Sequence, residues 1–121
     1  MKPEYKIIRN IIEKNSRVLD VGCDNGNLME FLKINKNVDI RGIEISKEKV
    51  QICISKGLTV IEGNAEFDLK QFPDDSFDYV VLGQPELYLG MVFLWVKNLP
   101  FFCYSTINVP SLTSVVRSNP V

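Results

Sequence analysis

The sequence predicts an α/β domain built on a parallel sheet with helices on its faces. Short β-branched and apolar runs alternate with stretches whose apolar residues recur at helical spacing. The intervals between runs suit crossover helices, which parallel strands require. A chain of 121 residues is enough for one such domain.

Taken in order, Tyr5, Ile8, Ile11 and Ile12 lie on one side of a helix over residues 3 to 14, started by Pro3. Arg17 to Val21 reads as a buried strand. A glycine-punctuated turn follows, and then a helix with Leu28, Met29, Phe31 and Leu32 on its apolar face. Val38 to Glu44 is the second strand. Ser46 is placed to cap the next helix, with Val50, Ile52, Cys53 and Ile54 on or near its buried side and Gly57 as its left-handed stop. Leu58 to Glu62 forms a third strand, Pro73-Asp74-Asp75 a turn, and Phe77 to Leu82 a fourth strand bounded by Gly83.

Beyond Gln84 the composition changes. Of 14 basic and 15 acidic residues, only Glu86, Lys97 and Arg117 fall there. The apolar run Leu87 to Val96 is about half the length of a membrane crossing and reads as a buried or partner-facing segment. From Asn98 onward Ser, Thr, Asn and Pro suggest an irregular tail. The chain therefore divides into residues 1–84, a folded unit, and 85–121, a charge-poor tail.

The bulk numbers exclude several function classes. A net charge of −1 offers no basic patch for nucleic acid. Three widely spaced cysteines make neither a disulfide framework nor a metal knuckle, and a reducing, cytoplasmic setting suits them. The start MKPEYKIIRN has no secretory signal pattern. No metal is expected: Asp74, Asp75 and Asp78 belong to ordinary turn chemistry. Without a single histidine, chemistry must come from carboxylates, amides, thiols or a cofactor. Cys23 and Cys53 read as small buried residues, since no base is in sight.

The stretch VLDVGCDNG, residues 18 to 26, carries the functional signal. Where a strand runs into glycine-rich sequence and a helix begins at once, backbone N–H groups and the positive helix end face the crevice above the sheet. Gly22 and Gly26 permit the tight turn. The dinucleotide fingerprint would need glycines at 22, 24 and 27. Asp24 and Asn27 stand at two of these, which disfavours a nicotinamide cofactor. Glu44, at the end of the second strand, is placed to accept from both hydroxyls of a ribose. Asn64-Ala65-Glu66, after the third strand, reaches the same crevice and can read an adenine edge. Three successive strand ends, carrying Gly22 and Gly26, Glu44, and Asn64 with Ala65, thus converge on an adenosine-shaped site.

VLDVGCDNG, RGIEIS, GNAE and FPDDSFDYVVLGQ resemble, in order and spacing, the S-adenosylmethionine motifs of class I methyltransferases. Over residues 15 to 84 the longer stretches resemble the methionine biosynthesis protein MetW family. The resemblance implies a Rossmann-like fold with helices on both faces of the sheet, here incomplete at about four strands where class I methyltransferases have seven. It implies S-adenosylmethionine as cofactor: Asp20 and Gly22 beside its methionine part, Glu44 on the ribose, Asn64 and Ala65 at the adenine, and Gln84 near the transferable methyl. It also implies association with a homoserine O-acyltransferase. Two positions depart from the pattern. Asp24 stands where the family has glycine, so its carboxylate would repel the cofactor's own unless it turns outward. Asn64 stands where the family has aspartate, and both changes point to weaker binding. The methyl acceptor and any catalytic residue stay unassigned. The alternative readings are a non-catalytic interaction module and a truncated fragment that has lost cofactor binding.

Overall fold

In the computed structural model, which describes residues 3–73, 76–82, 102–109 and 113–120, the expected elements follow one another in the expected order. Helix α1 (Pro3–Ile11) and the residue after it bury Ile8 and Ile12 against the sheet. Strand β1 (Arg17–Val21) sends Val18 into one core and Leu19 and Val21 into the other, as the two-residue period of a strand requires. It is therefore buried on both faces, which accounts for its apolar Val18, Leu19 and Val21, with the charged Asp20 buried among them.

Helix α2 (Asn27–Lys36) buries Met29 and Leu32 and stops at Asn37, whose left-handed backbone returns its N–H to the Lys33 carbonyl. Strand β2 (Asp39–Glu44) leads to helix α3 (Lys47–Ser55), which Ser46 starts by accepting the Lys49 N–H at 3.4 Å. Strand β3 (Thr59–Glu62), the short helix α4 (Ala65–Asp68) with a 3-10 turn at Leu69–Gln71, and strand β4 (Tyr79–Leu82) follow. Helices α1, α2 and α3 cover the face carrying Val18, Ile40 and Val81. Ala65 and Leu69 cover the face carrying Leu19, Ile43 and Val80.

The strand order is β3-β2-β1-β4, all parallel, so the expected fold class is the one observed. The amino ends of β1 and β4 are pinned by Arg17, whose backbone N–H and guanidinium both bond the Asp78 carboxylate at 2.8 to 3.3 Å. That guanidinium holds the Asp78 carboxyl below the usual carboxylate range.

The structure corrects two expectations. Residues Phe102–Val109 (β5) and Thr113–Pro120 (β6) form an antiparallel pair rather than an irregular tail. Threonine serves loops, but its branched Cβ also favours strands, as do Tyr104, Ile107, Val115 and Val116. Strand β6 pairs antiparallel with β4, Val80 opposite Val116, and so extends the order to β3-β2-β1-β4-β6-β5. Ile52 and Ile54 are exposed, because α3 meets the core only through Val50 and Cys53, three residues apart on one stripe. The run Leu87 to Val96 and the Asp74-Asp75 part of the turn lie outside the described residues.

Candidate functional site

Parallel strands end on one side of a sheet, and here the register brings Val21 beside Ile43 and Leu82, and Glu44 beside Glu62. The chain steps outward from β1 to β2 to β3 and then returns past β1 to β4. Such a reversal opens a crevice above the carboxyl ends, where ligands of open α/β sheets bind.

The turn after β1 fills the floor of that crevice. Gly22, Asp24 and Gly26 all have positive φ, at 72°, 56° and 83°, so the backbone alternates hand along the turn. Its N–H groups grip the neighbouring strand: Gly22 donates to the Ile43 carbonyl at 2.9 Å, and Gly26 closes the turn on the Cys23 carbonyl at 3.0 Å. Gly26 has a second reason to be glycine. A Cβ there would lie 2.5 Å from Leu58 Cδ1 and 3.0 Å from Cys53 Sγ. As the residue before α2, Gly26 supplies no side-chain cap to that helix end.

Glu44 is no solvated strand end. It is buried, with Oε1 accepting the Asp24 N–H at 2.8 Å and Oε2 accepting the Ser46 N–H at 2.9 Å. Each carboxylate oxygen keeps a second lone pair for a ligand hydroxyl. Asp20 is buried too, and burial, with the Glu44 and Asp24 carboxylates adding to it, pushes its carboxyl up to about 7. Glu44 and Asp20, side by side at the turn, favour a ligand that brings positive charge.

Of the residues expected from sequence, the structure brings Asp20, Gly22, Gly26 and Glu44 together around the turn. Asn64 follows Gly63, whose N–H bonds the Glu44 carbonyl at 3.0 Å. Its own N–H is held by Asp68 Oδ2 at 2.7 Å. Ala65 is buried in the core beside Leu69, so its methyl is packing and only its backbone is available to a ligand. Gln84 lies outside the described residues. Cys23 and Cys53 are buried free thiols, and burial pushes both up, away from thiolate character.

Sequence reasoning missed the role of α3. Lys49, Cys53 and Lys56, spaced four and three apart, all reach the turn. Lys49 Nζ pairs with Asp24 Oδ1 at 2.7 Å, and the Cys53 thiol donates to the Asp24 carbonyl at 3.2 Å. Lys56 Nζ, just past the helix, bonds the Asn25 carbonyl, Asn27 Oδ1 and Glu30 Oε1. The spacing places these side chains on one stripe of the helix, but not which distant turn that stripe meets.

The model of the family described as "Methionine biosynthesis protein MetW" matches residues 2–87. The chain belongs to the MetW family. A relative from Rhodopirellula baltica, named a bifunctional methionine biosynthesis protein MetXA/MetW, is 32% identical over 83 residues, which cover 62% of this chain and 13% of that one. The chain thus spans a small part of the length of this curated relative. Solved structures share the fold. A TehB-like SAM-dependent methyltransferase from Corynebacterium glutamicum matches with a TM-score of 0.61 at 13% identity, over 98% of this chain and 87% of that one. TrmK of M. capricolum, in complex with S-adenosylhomocysteine, matches with a TM-score of 0.56 at 11% identity, over 99% and 68%. The fold of this MetW family member is therefore that of class I methyltransferases. No helix among the described residues is long and apolar enough to cross a membrane.

Proposed function

We propose that the chain is an S-adenosylmethionine-binding, methyltransferase-like unit of methionine biosynthesis, working in the cytoplasm beside a homoserine O-acyltransferase. The observation that carries the reading is Glu44, buried at the end of β2 and oriented by two backbone amides beside the glycine turn. A carboxylate so fixed is suited to a ribose diol. The acidic surroundings suit the ammonium and sulfonium of the same ligand. In this reading Asp20, Gly22 and Gly26 border the methionine part, Asn64 and the Ala65 backbone meet the adenine, and Gln84 lies near the methyl. Ile45 and Phe67, large apolar side chains left 60% and 67% exposed just after β2 and β3, offer apolar surface to the base. Methyl transfer from a sulfonium to a nucleophilic acceptor needs positioning and desolvation more than a proton-transfer group. The acyltransferase partner is supported by the R. baltica relative, whose name joins MetXA and MetW in one chain. The division into a cofactor unit over 1–84 and an appended segment over 85–121 belongs to the same proposal.

The test is thermal unfolding with and without S-adenosylmethionine or S-adenosylhomocysteine. At a hundred times the dissociation constant, either should add about 2.7 kcal/mol of stability. Glu44→Ala should weaken binding roughly 10- to 100-fold by removing charge-assisted bonds to the ribose. A cooperative transition that neither ligand moves would reject the reading and favour a non-catalytic interaction module, which the Asp24 and Asn64 departures already suit.

A further inference from the structure

The backbone of Asp24 is held on both sides. Its N–H donates to Glu44 Oε1 at 2.8 Å and its carbonyl accepts the Cys53 thiol at 3.2 Å. Its left-handed φ of 56° is one that aspartate tolerates better than most residues and glycine adopts without strain. What aspartate adds is a charge, in a turn that already faces Asp20 and Glu44. With the backbone fixed, the freedom left to that charge is rotation of the side chain, and Lys49 decides it. Nζ lies 2.7 Å from Asp24 Oδ1, with the Asp24 side chain 65% exposed and that of Lys49 47% exposed. The carboxylate is thereby drawn toward α3.

We infer that Lys49 is a positioning residue for the cofactor: it draws the Asp24 carboxylate toward α3 and neutralises it, so that the turn can accept a ligand bearing its own carboxylate. The inference rests on the cofactor reading above and adds a specificity element to it. Lys49 and Asp24 form a compensating pair, in which the lysine offsets the electrostatic penalty of a non-glycine residue in the turn. Removing Lys49 alone releases an anion beside the ligand's α-carboxylate. Removing both charges returns the turn to a neutral state.

Titration calorimetry with two ligands tests it. S-adenosylhomocysteine carries the amino-acid carboxylate, and 5′-methylthioadenosine lacks the whole amino-acid part. Lys49→Met should weaken S-adenosylhomocysteine about three- to tenfold, the scale of a partly screened charge a few ångströms away, and leave 5′-methylthioadenosine unchanged. Lys49→Met combined with Asp24→Gly should restore the affinity, and added salt should shrink the Lys49→Met effect. Equal weakening of both ligands would mean a general loss of turn structure and would overturn the inference. So would wild-type affinity in Lys49→Met, which leaves the cofactor reading standing. Failure of the wild-type chain to bind either ligand would overturn both.

Discussion

Asp20 is buried between like charges, and its protonation ties the fold to pH. With its carboxyl raised to about 7 by burial, then Glu44, then Asp24, the folded chain holds a proton over a range where the unfolded chain, at 3.8, has released it. The folded state binds more protons between these values, so stability falls as pH rises from about 4 to about 7 and levels off above. The slope from this one group is at most about 1.4 kcal/mol per pH unit. Asp20→Asn, isosteric and neutral, should flatten the fall and leave the variant more stable than the wild type at pH 8, as urea unfolding across pH would measure. A stability profile in the variant that still falls in parallel with the wild type would assign the pH dependence to other groups. At this scale the sequence was half legible. Asp20 and Glu44 stood out because strand ends next to a glycine turn are few. That Asp24 turns toward Lys49, 25 residues on, could not be seen, because local spacing does not say which helix face will meet a distant turn.

Among the elements, α3 does more than fill one face of the sheet. Val50 and Cys53 seat it, and Lys49, Cys53 and Lys56 reach the turn between β1 and α2. The close approach depends on Gly26, where a Cβ would press on Leu58 and Cys53. Gly26→Ala should cost about 2 to 4 kcal/mol, combining left-handed strain with overpacking, and a calorimetric melt reads it directly. A loss under about 1 kcal/mol would show that α3 can back away from the turn. The helices were legible from their apolar period, their caps at Ser46 and Gly57 included. The exposure of Ile52 and Ile54 was not, since apolar character alone does not tell a narrow buried stripe from a broad one.

For the molecule as a whole, the parallel order was legible because alternating strands and helices leave few topologies. The hairpin of β5 and β6 was not: in a charge-poor segment, Thr, Ser and Asn serve strands and loops alike, and only pairing with β4 separates the two. The order of pairing also orders events in time. β1 meets β2 after one short crossover, but the Arg17–Asp78 bonds that close β1 onto β4 join residues 61 apart in the chain. Loops that long close late, so in refolding followed by pulsed hydrogen exchange the β2 amides should be protected before those of β4. Simultaneous protection would refute this sequence of events. The glycine turn takes its hydrogen bonds from Ile43, Glu44, Cys53 and Lys56, all on the early side of that closure. On a growing polypeptide, the turn would thus take shape while the central strand still waits for its second neighbour to be synthesised.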